Sequence, residues 1–138
     1  MTRDFPNTEA LIRYRMERAQ ETLDDARSLF KQNRTPASVV NRAYYAMFYA
    51  ALAMLAVIGE TTSKHSGVLA LFDKYFIKPQ ILPKEIGKFL HQAFDMRQMG
   101  DYEEEAELTK EDARQTLAAA EKFIETVAAK LKSDNDAA

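Results

Sequence analysis

The sequence of 138 residues predicts an all-α protein, an up-and-down bundle of four main helices and one short helix. Three observations support this fold class. Apolar residues recur with the three- and four-residue steps of one helix face in both terminal segments. Residues that favour helix starts precede the second and the last helical segments. No segment alternates apolar and polar residues over any length, which argues against strands.

The first helix is predicted at about residues 8–32, after the suitable starting residues Pro6 and Asn7. Its apolar stripe advances in alternating steps of four and three residues, which places the stripe on one helix face. The stripe consists of Ile12, Met16, Ala19, Leu23, Ala26 and Phe30.

The second helix is predicted to begin after Thr35 as N-cap, with Pro36 at the first helical position, and to end at Gly59. Residues 43–58 are 16 positions without a charge, so this helix is apolar on all sides. A membrane span needs about 20 such residues. We therefore expect a central bundle helix rather than a membrane segment. We also expect a homodimer, since a small bundle covers such a helix incompletely.

Three further helices are predicted in the remaining chain. A short one covers about 64–77, and a proline-containing link separates it from a helix at about 84–98 that Gly100 interrupts. The last helix begins with the capping-box-like segment 109–112. We expect one domain over residues 1–138, with a helical core at about 8–132.

The tail at 133–138 is expected to fray. The stripe of the last helix again alternates steps of four and three residues, and it consists of Ala113, Leu117, Ala120, Ile124, Val127 and Leu131.

Composition argues against several kinds of site. The chain has no cysteine and only two histidines, which excludes thiolate chemistry and a histidine-rich metal centre. The acidic run at 103–107 belongs to no Glu-x-x-His pair, so we interpret it as a solvated loop rather than a metal site. We predict no metal and no cofactor. The N-terminus lacks the apolar core of a signal peptide, which predicts a cytoplasmic protein without a membrane segment.

The net charge of −2 argues against nucleic-acid binding by bulk electrostatics, but the charge is uneven along the chain. Residues 1–42 carry eight basic and six acidic groups, and residues 103–138 carry five basic and ten acidic groups. The sequence therefore still allows a local basic groove.

Three polar segments interrupt the apolar pattern. In the first, Arg42 shares a helix face with Tyr45, and a guanidinium beside a phenol ring can stack or bind phosphate. The alternative is an ion pair between Arg42 and an acidic residue of another helix. In the second, Lys64 and His65 stand at a helix N-terminus, where backbone N–H groups favour anions. The alternative is helix capping and packing.

The third polar segment contains Arg97, Asp101 and Tyr102, which supply a cation, a carboxylate and a phenol within a few residues. The alternative is that Arg97 stabilises the last carbonyls of a helix that Gly100 ends.

In this order the three segments resemble the HEPN domain family. The residues that carry the resemblance are NRAYYAMFYAALAML at 41–55, KHSGVLALF at 64–72 and RQMGDY at 97–102, and the resemblance covers about residues 8–130. It implies an α-helical bundle, commonly dimeric, that is often encoded beside a minimal nucleotidyltransferase as a toxin–antitoxin pair. Many such domains are metal-independent ribonucleases.

The family's catalytic signature is an arginine followed after a short spacer by a histidine, in a cleft shared by two copies. Arg97 matches the arginine, but Tyr102 stands where the histidine is expected, and no histidine follows His91. A tyrosine is a poor base near neutral pH.

Three functions follow from the sequence. The first is a binding component that contacts nucleotide or RNA phosphate through Arg97, Arg42 and Lys64, or docks a nucleotidyltransferase. Tyr45 and His65 are further candidate ligand-binding residues. The second is a ribonuclease toxin in which Arg97 acts with Tyr102, Asp101 or His65. The third is a non-catalytic helical adaptor, since a fold alone does not establish a function.

Overall fold

The computed structural model of the chain describes residues 7–101 and 107–137, without the side chains of Asp101 and of residues 136–137. Within these residues the chain forms five α-helices and one π-helical turn, and it forms no strand. The elements are α1 (Thr8–Lys31), α2 (Pro36–Val57), α3 (His65–Phe72), the π-helical turn (Asp73–Ile77), α4 (Lys84–Asp101) and α5 (Lys110–Ala137). The predicted all-α bundle is confirmed.

Local capping chemistry fixes the helix starts where the sequence predicted them. Thr35 Oγ1 accepts a hydrogen bond from the backbone N–H of Ser38, and Pro36 occupies the first turn of α2. At the start of α5, Thr109 Oγ1 accepts from the N–H of Asp112, whose carboxylate accepts in return from the N–H of Thr109. This reciprocal arrangement is a capping box.

Helix α2 is the centre of the bundle and packs against α1, α3, α4 and α5. Thirteen of its residues are buried, from Val39 to Ala56, which confirms that the uncharged segment is a core helix. Gly59 follows its end with a φ of +72°, a left-handed conformation that glycine adopts without strain. In the part of the chain that the structure describes, no helix has the length and apolarity needed to cross a bilayer.

Two helices extend further than the sequence predicted. Helix α4 continues through Gly100, where an added Cβ would lie 3.2 Å from Leu108 Cδ1 and 3.4 Å from Ala37 Cβ. Glycine here permits close packing rather than ending the helix. Helix α5 continues to Ala137, so the helix includes residues 133–137. The ion pair between Lys130 Nζ and Asp134 Oδ1, at 3.2 Å, supports these added turns.

The helix expected at 64–77 is divided in two. Helix α3 ends at Phe72, and the N–H of Lys78 then donates to the carbonyl of Asp73 at 2.8 Å, across five residues. This wider turn accommodates one extra residue per turn before the proline-containing link. It also places the Asp73 carboxylate 2.6 Å from His91 Nε2 on α4.

Candidate functional site

Arg97 lies one turn before the end of α4 and contacts two tyrosines of α2. Its guanidinium carbon Cζ is 5.6 Å from the ring centroid of Tyr44 and 5.3 Å from that of Tyr45. The negative faces of the rings attract the cation. Arg97 Nε is buried and has no hydrogen-bond partner among the residues that the structure describes. The two rings therefore hold a guanidinium whose Nε–H donates no hydrogen bond within the described chain.

His65, the first residue of α3, reaches the same two tyrosines. Its Nδ1 lies 2.9 Å from the hydroxyl oxygen of Tyr44. Its ring stacks on Phe48 with 4.2 Å between centroids and meets the ring of Tyr45 edge-on at 5.6 Å. The imidazole and the guanidinium of Arg97 consequently share Tyr44 and Tyr45 as neighbours, although α3 and α4 supply them separately.

The surroundings of His65 favour its neutral form. Burial, and after it the charge of Arg97, lowers the pKa of His65 from its ordinary value. Burial raises the pKa of Tyr44, so the Tyr44 hydroxyl keeps its proton. A buried hydroxyl needs an acceptor, and His65 Nδ1 is the one within reach in the described chain. This assigns the ring proton to Nε2, where the imidazole presents a donor.

Arg42 supplies a second guanidinium above Tyr45, with Cζ 5.2 Å from the ring centroid. Its Nε and Nη2 both donate to Oδ1 of Asn41, at 3.3 and 3.2 Å. The alternative of an ion pair with another helix is not found within residues 7–101 and 107–137. Beside Arg42 lies an open depression of about 390 Å³, which Arg34 also lines. The surroundings of Tyr45 are thus cationic.

Five side chains from three helices form what we call the Arg97 cluster. The cluster consists of Arg42, Tyr44, Tyr45, His65 and Arg97. Four of these five were predicted as site residues from the sequence. Tyr44 was not, although it is the residue that both His65 and Arg97 contact.

The other predicted site residues are not part of the cluster as described. Lys64 is the N-cap residue of α3, and its exposed side chain forms no hydrogen bond or ion pair in the described chain. The side chain of Asp101 lies outside the described residues, and so does the whole of Tyr102. The alternative role of Arg97 as a helix C-cap is wrong, because α4 continues to Asp101 and the guanidinium turns to the tyrosines of α2.

The described members of the cluster combine positive charge, hydrogen-bond donors and aromatic surface. No carboxylate whose side chain is described belongs to it, and no group of three or more His, Asp or Glu residues in the described chain is placed to hold a metal ion. Most of the acidic run at 103–107 lies outside the described residues. Two guanidinium groups and an imidazole N–H are suited to an anion, and the planar guanidinium fork matches the oxygens of phosphate and of carboxylate.

Comparison with known proteins gives consistent matches. A family model described as the HEPN domain matches residues 12–131. A "UPF0332 protein" of Thermotoga maritima is 44% identical over 119 residues, which cover 86% of this chain and 89% of that protein. Two proteins of Methanocaldococcus jannaschii named "Putative toxin" are 35% and 32% identical. They cover 74% and 85% of this chain, and the matches span 69% and 86% of their own lengths.

Proposed function

The chain belongs to the HEPN domain family, and we propose that it binds the phosphates of RNA or of a nucleotide through the Arg97 cluster. The observation that carries this proposal is the convergence of Arg42, Arg97 and His65 on the rings of Tyr44 and Tyr45. The Nε of Arg97 is buried and has no partner in the described chain. The Arg97 side chain as a whole is half-buried, so we expect a ligand to meet the other N–H groups of its guanidinium.

The chemistry of the cluster supports phosphate over a carboxylate or an uncharged ligand. Arg42 and Arg97 both contact the ring of Tyr45, so two guanidinium groups are available to neighbouring phosphates of one ligand. His65 adds a neutral N–H donor at the same place. Such a donor set binds the sugar–phosphate backbone without reading bases.

The expected partners are part of the same proposal. We propose a role in a toxin–antitoxin pair in the cytoplasm, with a minimal nucleotidyltransferase as the partner. The family match and the two relatives named "Putative toxin" support the toxin part of this proposal. A homodimer is proposed from family membership alone, because the bundle of one chain already buries thirteen residues of α2.

The test is the salt dependence of RNA binding. A fluorescent uridine octaribonucleotide is titrated with the protein at 50 to 300 mM salt, and its anisotropy is recorded. Two phosphate contacts predict that log K falls with log salt with a slope of at least about −1.4, since each contact to a single strand contributes about 0.7. Arg27→Ala is the control, because Arg27 pairs with Asp24 and Glu121 away from the cluster. Absence of binding at 50 mM salt would favour the non-catalytic adaptor instead.

A second candidate function is metal-independent RNA cleavage. The observation that favours it is the pairing of Arg97 with His65 at Tyr44, because cleavage needs both a cation at the phosphate and a proton-transfer group. His65 would replace the histidine that the family signature has after the arginine. We rank phosphate binding above cleavage because of the hydrogen bond between Tyr44 and His65. This bond occupies Nδ1 and leaves the ring proton on Nε2, whereas a general base needs a free lone pair there.

Cleavage is tested by incubating RNA with micromolar protein in EDTA across pH 5 to 8. The second candidate predicts cleavage that falls at least about hundredfold in His65→Gln. A general base must be neutral, and the pKa of His65 is lowered from its ordinary value of 6.5. The cleavage rate should therefore stay constant from pH 8 down to pH 6.5 and decline only at lower pH. His91→Gln is the control. Intact RNA at every pH removes this candidate and leaves the binding proposal standing.

A further inference from the structure

A second contact between an arginine and a tyrosine lies next to the Arg97 cluster. Arg18 of α1 has its Cζ 5.0 Å from the ring centroid of Tyr49, and its Nη2 donates to the Tyr49 hydroxyl at 3.3 Å. Tyr49 is one turn beyond Tyr45 on α2, and the two ring centroids are 6.2 Å apart. The line of aromatic rings therefore continues from Arg97 on α4 to Arg18 on α1.

The Arg18 side chain is accessible, and its ion pair with Glu21 is weak. Its side chain is 39% exposed, and its ion pair with Glu21 is long, at 3.5 Å, with the Glu21 side chain 69% exposed. Exposed pairs of this kind contribute about 0–1 kcal/mol, so a phosphate can replace the carboxylate. The nearby Arg15 differs, because its Nη1 donates to the carbonyl of Leu52 at 3.0 Å in a partly buried position.

The spacing decides what kind of ligand can use both arginines. Tyr45 and Tyr49 stand between Arg97 and Arg18, and each arginine covers its own ring. Two rings lie between the guanidinium groups, so we expect one phosphate to contact only one of them. Successive phosphates of one strand can contact both, because a row of cations tracks the backbone of a single strand.

We propose that Arg18 and Tyr49 form a second phosphate subsite, so that the ligand is a single RNA strand of several nucleotides rather than a mononucleotide. This inference rests on the proposed function of the Arg97 cluster, and it adds α1 to the ligand-binding surface. Tyr49 positions Arg18 through its hydroxyl, and Arg18 contacts the strand.

The test compares Arg18→Ala with the wild type on uridine oligonucleotides of one, two, four and eight residues. For the octanucleotide we expect about tenfold weaker binding at 50 mM salt and a salt slope reduced by about 0.7, the contribution of one phosphate. For the mononucleotide we expect no change, because it reaches the Arg97 cluster alone. Glu21→Gln should shift binding of the octanucleotide the other way, since it removes the competing carboxylate.

Arg27→Ala is the matched control, an arginine of the same helix that pairs with α5 and lies nine residues from Arg18. Thermal unfolding of each variant confirms that it is folded. The second subsite is overturned if Arg18→Ala leaves the affinity for every oligonucleotide unchanged. It is also overturned if Arg18→Ala weakens the binding of every oligonucleotide by the same factor, whatever its length. If binding still depends on Arg97 in that case, the proposed function stands. If the wild type binds no oligonucleotide, both proposals fail.

Discussion

Replacing Arg97 with alanine is expected to weaken RNA binding by about 10- to 100-fold and to leave the folded protein about as stable as the wild type. A hydrogen bond to a charged group contributes about 1.5–3 kcal/mol, which corresponds to this range of affinity. Stability is expected to change by less than about 1 kcal/mol, because two terms oppose each other. The contacts with Tyr44 and Tyr45 are lost, but so is a buried Nε without a partner in the described chain.

The measurement combines anisotropy titration of the octaribonucleotide with urea unfolding. Arg97→Lys keeps the charge but loses the planar fork, so its affinity should lie between those of the wild type and Arg97→Ala. Arg27→Ala should bind as the wild type does. A variant Arg97→Ala that unfolds, or that binds RNA with unchanged affinity, would show that Arg97 serves the packing of α4 on α2 rather than a ligand.

Replacing Phe123 with alanine is expected to lower the free energy of unfolding by about 3–5 kcal/mol. Phe123 on α5 is fully buried, and its ring stacks on that of Phe72 with 5.5 Å between centroids. Removing a buried phenyl group loses its transfer free energy and leaves a cavity. A loss of this size is a large share of the 5–15 kcal/mol that stabilises an ordinary domain.

Urea denaturation followed by circular dichroism measures this loss. Lys122→Ala is the neighbouring control, because Lys122 is exposed and its ion pair with Glu85 contributes less than about 1 kcal/mol. A decrease below about 1.5 kcal/mol for Phe123→Ala would mean that the interior around Phe72 collapses into the space and that this region is loosely packed.

The sequence predicted the helix starts well because their causes are local. Thr35 with Pro36, and Thr109 with Asp112, place a cap and its partner within a few residues, so the chemistry can be recognised without the fold. The end of α4 was not predictable in the same way. Gly100 is typical of a helix end. Only the closeness of Ala37 on α2 shows that glycine at this position lets the two helices pack closely.

The candidate site was predicted in part. The residue types and their helix positions identified Arg42, Tyr45, His65 and Arg97, but their convergence depends on how α3 and α4 pack on α2. The role of Tyr44 could not be predicted, because an uncharged segment does not distinguish a buried tyrosine from a half-exposed one.

Two further features were missed for similar reasons. Phe123 does not belong to the predicted stripe of α5, because a stripe drawn in single steps of three and four is narrower than the face that α5 buries. Arg18 was not singled out from the sequence, because only the position of Tyr49 on the neighbouring helix distinguishes it.

Tyr44 and Tyr45 are consecutive in the chain and both contact Arg97, yet Tyr44 is fully buried and Tyr45 is half-buried. A mutation that repacks the middle of α2 must therefore also displace the groups around Arg97. Substitutions along α2 therefore cannot change the interior and the Arg97 cluster independently. Arg18 of α1 and Arg97 of α4 reach the tyrosines from neighbouring helices, so each can be exchanged without a change in the sequence of α2.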